Sequence, residues 1–237
     1  MLLLWMGCSV PTAEGCDAAL DADQDGLDEC LEQDLGTDPT LADSDGDGWS
    51  DAEENDCSSD PLDEASSCYA CGWRRGDPGT LSSDGADYGD TIANITLYDQ
   101  CGDEVPLWDF AGDWHIVFAT AAWCTSCLGE AAELDELGQA FADETGIGFS
   151  YITLLFQGPT GDPAQPEDAP GYAEYVGNPT NPVVADPDRA ILDATPYDGS
   201  TLPGKCLLSP QMEILDCWTG HYNDDEALDL IRIEEGL

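Results

Sequence analysis

Basic residues are almost missing from this chain: five Lys and Arg stand against 51 Asp and Glu in 237 residues, a formal net charge of −46. A surface so short of cations cannot neutralise phosphate, which excludes nucleic acid and anionic membrane faces as partners. Histidine is nearly as scarce, with His115 and His221 alone. Both are expected as surface or hydrogen-bonded residues, and a copper site built on Cys-x-x-x-Cys with a distal histidine is excluded by the cysteine spacing even though His221 is at hand. Long apolar runs are missing too, and no segment approaches the roughly 20 apolar residues that a membrane-spanning helix needs. The length leaves room for one domain of roughly 150 residues and a small module.

Cysteine, in contrast, is abundant. Eleven of them point to an oxidising compartment. Two sit in Trp123-Cys124-Thr125-Ser126-Cys127, directly after the apolar run Ile116-Val117-Phe118-Ala119 and at the head of a periodic helix. At a helix start, orphan N–H groups and the helix dipole stabilise a thiolate on Cys124. Cys127, one turn on, lies on the same face and can resolve a mixed disulfide. The alternatives are a structural disulfide or half of a zinc site, for which Cys68 and Cys71 would be the second knuckle.

The apolar positions Ala131, Leu134, Leu137 and Phe141 predict a helix over Leu128 to Glu144, broken by Gly146 and Gly148. The run from Phe149 to Phe156 then reads as a buried strand. Strand, helix and strand at this spacing predict a βαβ unit in a mostly parallel sheet. Gln157 to Pro170 reads as a polar loop, Asn181 to Asp186 as a short strand, and a last helix is expected from an N-cap at Asn223, packing Leu228, Leu230 and Ile231 on the sheet.

Further motifs extend this order. Asn94 to Gln100 is followed by Val105 to Gly112, then by the strand and Trp-Cys-x-x-Cys, and downstream by Thr201-Leu202-Pro203-Gly204-Lys205-Cys206 running on to Ile214. In that order the region from about Ile92 onward resembles the extracytoplasmic TlpA/ResA thiol–disulfide oxidoreductases of the thioredoxin fold, relatives of the AhpC/TSA proteins. The resemblance implies an α/β thioredoxin-like fold, a central mixed sheet flanked by helices. It implies Pro203 as a cis proline packed against the cysteine pair, with Pro196 the runner-up. Trp123 belongs to the motif, and Glu130, an acid three residues after Cys127, is implied to manage a proton. Spacing agrees on its own terms, since residue 130 lies one turn beyond Cys127 on the same face. Ser126 and Ala132 stand where many relatives have proline, which leaves redox potential and partner surface open. The peroxiredoxins share much of this fold, but their motif wants a threonine where Ala121 stands and a proline where Val117 stands, so peroxide reduction is not expected.

The N-terminal third is different. Asp21-x-Asp23-x-Asp25-Gly26 with Glu29 and Glu32 is followed 22 residues later by Asp43-x-Asp45-x-Asp47-Gly48 with Asp51 and Glu54. Both place oxygen ligands at loop positions 1, 3, 5, 9 and 12 and glycine at 6, the pattern that wraps a calcium ion. Gly36 and Pro39 interrupt the segment, so flanking EF-hand helices are not evident. The spacer Leu35 to Ala42 and the stretch Gly48 to Glu54 resemble thrombospondin type-3 repeats, which implies structural calcium in a segment of little regular structure that folds around its metal. The alternative is a disordered acidic stalk. Residues 14 to 64 hold 20 acids and no Lys or Arg, so calcium would neutralise only part of the charge. The remaining surplus fits salty surroundings, where self-repulsion is screened; loss of fold or solubility at low ionic strength with calcium present is the expected sign, and indifference to salt would refute it.

Met1 to Cys8 resembles the end of a bacterial lipoprotein signal, with a lipidated Cys8 as mature N-terminus, though it lacks a basic region and its apolar run is short; the alternative is a short apolar N-terminus with a disulfide-bonded Cys8. Ten cysteines then remain, an even count. Cys206 and Cys217 flank the Ser209-Pro210 turn and suit a hairpin bridge, Cys16, Cys30, Cys57 and Cys68 suit the calcium module, and Cys71 suits Cys101; sequence alone leaves the connectivity open. The expected organisation is 1–8 signal remnant, 9–66 calcium-binding repeats, 67–90 linker and 91–237 thioredoxin-like domain. The expected function is disulfide exchange with protein thiols and disulfides of the cell envelope, served by a membrane or periplasmic electron donor, with a membrane contact only through the lipid on Cys8. The alternative is a non-catalytic, calcium-dependent surface lipoprotein that uses the fold as a scaffold.

Overall fold

The computed structural model describes residues 16–57, 59–64, 66–75, 79–197, 199–221 and 224–237. The proposed lipid site at Cys8 and the N-cap at Asn223 lie outside them. The chain divides into two compact units. One runs to Cys68 and takes in Gly72–Arg74; the other comprises Tyr69–Cys71 and Arg75–Leu237.

The second unit is built on seven strands: β1 (Thr96–Asp99), β2 (Glu104–Pro106), β3 (Trp114–Ala121), β4 (Phe149–Gln157), β5 (Val183–Ala185), β6 (Gly204–Leu208) and β7 (Ile214–Thr219). Their order is β2-β1-β5-β4-β3-β6-β7. The central β3, β4 and β5 pair in parallel, and the flanking pairs are antiparallel. All eight residues of β3 are buried, because both faces of the sheet are covered. Its side chains alternate accordingly. Ile116 and Phe118 join a core with Tyr151, Phe141 and Ile231, while Val117 and Ala119 join a second core with Ile152, Leu154 and Leu208.

The helix predicted over Leu128 to Glu144 is two helices, α3 (Thr125–Ala131) and α4 (Leu134–Thr145). At the break the Glu133 N–H bonds back to the Glu130 carbonyl at 2.8 Å, an i→i−3 bond that tightens and ends the first helix. The buried stripe of α4 also differs from expectation. Leu137 is exposed, and Gly138 takes its place in the core with Leu134 and Phe141, since the Tyr151 and Phe149 rings of β4 pack against that glycine. Two more helices, α5 (Asp168–Val176) and α6 (Ala190–Asp193), precede β6. The last, α7 (Asp225–Glu234), buries Ala227 and Ile231 and packs Leu228 and Leu230 partly against the first core. Disulfides join Cys71 to Cys101 and Cys206 to Cys217 across β6 and β7.

In the first unit, two seven-residue helices, Glu29–Leu35 and Asp51–Cys57, each follow one aspartate loop. Asp28 caps the first, its side chain accepting from the Cys30 and Leu31 N–H groups. Bridges join Cys16 to Cys30 and Cys57 to Cys68. The interior is unusual. Among the described residues, the buried Leu27, Cys57, Pro61 and Cys68 share the inside with Glu32, Asp51 and Glu54.

Candidate redox site and carboxylate loops

Cys124 is the N-cap of α3, where the chain leaves β3 with the Cys124 N–H bonded to the Ala121 carbonyl. Its sulfur accepts the Cys127 N–H at 3.3 Å, and the Ser126 hydroxyl lies 3.6 Å away. The pair forms a disulfide with Cα atoms 5.3 Å apart. Cys124 is 7% exposed and Cys127 is fully buried, so an incoming thiolate reaches Cys124 first. Trp123 beside it is half exposed, and its indole N–H donates to Gln157 Oε1 at 3.1 Å. Leu202–Pro203 is a cis peptide at the head of β6. Pro203 is buried, Leu202 packs partly against both cores, and the first of these contains Cys124 and Cys127.

Glu130 is buried on α3, one turn past Cys127. It is not alone. Lys205 Nζ reaches Glu130 Oε1 at 2.5 Å and Asp224 Oδ1 at 2.5 Å. His221 Nδ1 lies 2.7 Å from Glu130 Oε2, and the Tyr151 hydroxyl donates to Asp224 Oδ2 at 2.8 Å. Lys205 sits in mid-strand with Phe118 of β3 opposite and its ammonium 5.7 Å from that ring. A buried ammonium needs paired charge, and the two carboxylates supply it. Burial and the Asp224 carboxylate push the Tyr151 hydroxyl far above the usual phenol range, so it serves as a donor only. Sequence reasoning missed Lys205, Asp224 and Tyr151 and gave His221 no role. One signal was available: a lone Lys inside the apolar run Gly204 to Leu208, in a chain with five basic residues.

The two aspartate loops each gather three carboxylates, Asp21, Asp23 and Asp25 in one, Asp43, Asp45 and Asp47 in the other; ligand atoms within each loop lie within 4.8 Å of one another. Gly26 and Gly48, at position 6, take φ of +117° and +105°, a region that L side chains rarely enter. The loop-terminal acids are buried without partners. Both oxygens of Glu32 and both of Glu54 lack a hydrogen bond, as do Asp23 Oδ2 and Asp45 Oδ2. Burial, reinforced by neighbouring aspartates, pushes the Glu32 and Glu54 carboxyls up to about 7 and raises Asp23 and Asp45 as well. The position-9 acids are placed otherwise. Glu29 Oε2 accepts the Asp17 N–H, and both Asp51 oxygens accept from Ser44. Buried, unpartnered carboxylate oxygens around a tight turn form the donor set a hard divalent cation takes, so calcium fits the residues present.

No known family model matches this sequence, and no curated protein does. Solved structures are similar to it. The peroxidoxin BcpB of Mycobacterium tuberculosis is 19% identical, with 62% of this chain covering 97% of that one at a TM-score of 0.51. The exposed lipoprotein thioredoxin Etrx1 of Streptococcus pneumoniae is 20% identical over 60% of this chain and 99% of that one, at a TM-score of 0.49. The putative thiol:disulfide interchange protein DsbE of Chlorobium tepidum is 20% identical over 65% of this chain and 98% of that one, at a TM-score of 0.48. At such identities the likeness to BcpB shows the fold: the second unit is thioredoxin-like.

Proposed function

We propose that this protein is an extracytoplasmic thiol–disulfide oxidoreductase that exchanges disulfides with protein substrates through Cys124 and Cys127. The observation that carries the reading is the asymmetry of the pair. Cys124 is reachable at the helix start and receives the Cys127 N–H, while Cys127 is enclosed and followed one turn on by a buried carboxylate. An N–H aimed at sulfur favours the thiolate at Cys124, which makes it the attacking and the leaving sulfur. Cys127 resolves the mixed disulfide, Glu130 manages its proton, and Trp123 with Leu202–Pro203 shapes the substrate face. Five disulfides support an oxidising compartment. The protein substrates are thiols or disulfides of the cell envelope, and an envelope electron donor or acceptor closes the cycle.

The first unit, in this reading, is a calcium-stiffened spacer. Asp21, Asp23, Asp25, Glu29 and Glu32 would hold one ion and Asp43, Asp45, Asp47, Asp51 and Glu54 the other. The ion supplies positive charge to an interior that otherwise confines carboxylates together, and folding and metal binding are then one event.

A glutathione redox titration with thiol trapping and peptide mass analysis tests the activity. Reversible opening of Cys124–Cys127 while the other four bridges stay closed is the expected result, and its midpoint relative to the surrounding poise gives the direction of electron flow. Opening of the pair only together with the structural bridges would sink the proposal and favour the scaffold alternative.

A further inference from the structure

The Glu130 carboxylate is met from several elements. Cys127 lies one turn before it on α3. Lys205 of β6 holds Oε1, and His221, just past β7, holds Oε2. Behind Lys205 stand Asp224, ahead of α7, and the Tyr151 hydroxyl of β4, with the charge of Asp225 also felt there. β3 contributes the uncharged Phe118 ring. Exposure separates these groups. The Glu130 and Lys205 side chains are 1% and 0% exposed, whereas His221 is 36% exposed. His221 therefore touches both the enclosed carboxylate and bulk water.

We propose that His221 is the proton port of the cysteine pair, with Lys205 as the residue that positions Glu130 for the transfer; this rests on the oxidoreductase reading above. A carboxylate enclosed at 1% exposure cannot trade protons with water at the rate of turnover unless the core opens or a second group relays them. Lys205 cannot be that relay. Its ammonium is shared between two buried carboxylates, and surrendering a proton would leave them facing each other uncompensated. An imidazole can, because it accepts at one ring nitrogen while releasing from the other.

The Cys124 thiolate attacks a substrate disulfide, whose S–S bond breaks to release one substrate thiolate. Cys127 gives its proton to Glu130 and attacks Cys124 Sγ, and the second substrate thiolate leaves as the Cys124–Cys127 bond forms. The pair loses two electrons and the substrate gains the same two. The proton passes from Glu130 to His221 Nδ1, and the partly exposed imidazole releases one to water, from which the departing thiolates are protonated. Reduction of the pair runs the same path backwards.

The test loads Cys124 of the full chain with 5-thio-2-nitrobenzoate, leaving Cys127 free, and follows release of the coloured thiolate by stopped flow from pH 5 to 9. In His221→Gln, which keeps a hydrogen-bonding group but cannot relay a proton, release should slow on the order of tenfold and its pH profile should differ from that of the wild type. His221→Ala should be slow as well and regain rate with added imidazole. Adding His221→Gln to Glu130→Gln should change nothing further. A His221→Gln profile that overlays the wild type overturns the proposal, as does an equal slowing in the Glu130→Gln background, which would mark a structural role. If the wild-type chain itself releases no thiolate, the oxidoreductase reading has failed, an outcome distinct from a normal wild type with an indifferent His221.

Discussion

Replacing Glu32 by Gln keeps the shape of a buried side chain and deletes its charge, and its consequence should change sign with calcium. In the metal-free protein both Glu32 oxygens are enclosed without a partner, and Asp23, Asp25, Asp51 and Asp21 raise the cost of a charge there. A carboxyl moved from 4.5 to about 7 opposes folding at neutral pH by about 3 kcal/mol when fully ionised. The cover over this small unit is thin enough for solvent screening, which takes the figure to roughly 1–2 kcal/mol. The folded state holds this proton more tightly than the unfolded chain, so the carboxyl costs nothing below about pH 4.5, and its penalty grows until about pH 7. In chelator at pH 8, Glu32→Gln should therefore stabilise the first unit by roughly 1–2 kcal/mol and flatten its loss of stability between those limits. On the calcium reading proposed above, the same change with calcium present removes a ligand and should destabilise the unit and weaken binding. Hydrogen exchange over residues 16–57, with chelator and with calcium, reads both arms, and calorimetric titration reads affinity. Destabilisation of equal size in both conditions would refute the reasoning, as would unchanged calcium affinity.

Gly204 follows the cis proline, and a Cβ there would lie 2.1 Å from the Tyr197 ring; Gly204→Ala should cost about 1–3 kcal/mol in urea unfolding and lower exchange activity, with Tyr197→Ala recovering part of the loss. Lys205→Met leaves Glu130 and Asp224 buried without their shared cation, so thermal unfolding at pH 7 should show a loss of about 3–5 kcal/mol. A loss of the same size when Lys205→Met is combined with Glu130→Gln and Asp224→Asn would point to packing instead. Removing the Cys206–Cys217 bridge with a Ser pair opens an 11-residue separation and should cost about 2–3 kcal/mol while leaving glutathione exchange at Cys124 intact.

Much of the architecture was legible because its signals are local. The β3 run, the Cys-x-x-Cys that follows it, the β4 run and the repeated Asp-x-Asp-x-Asp-Gly loops each lie within a dozen residues, where side-chain periodicity and turn chemistry act directly. Spacing alone put Cys124, Cys127 and Glu130 on one helix face. The single long helix was misread because its apolar stripe continues across Ala132 and Glu133, and sequence periodicity does not register an i→i−3 bond that ends one helix before the next begins. The stripe at Leu137 was misread because a glycine has no hydrophobic signature, although the Tyr151 and Phe149 rings make Gly138 the buried position.

The order of elements, the surplus of carboxylates and the identity of the sulfur pair are properties of the chain itself, since each depends on residues that are neighbours in sequence. The surroundings of Glu130 are not. Lys205, His221, Asp224 and Tyr151 come from β6, the turn after β7, the start of α7 and β4, and the strand order brings them together. A charge buried on one element is stabilised only by charges that another element delivers, at distances no spacing rule encodes. The tertiary structure alone decided that Glu130 would be held by a lysine from within and met by a histidine from the solvent side.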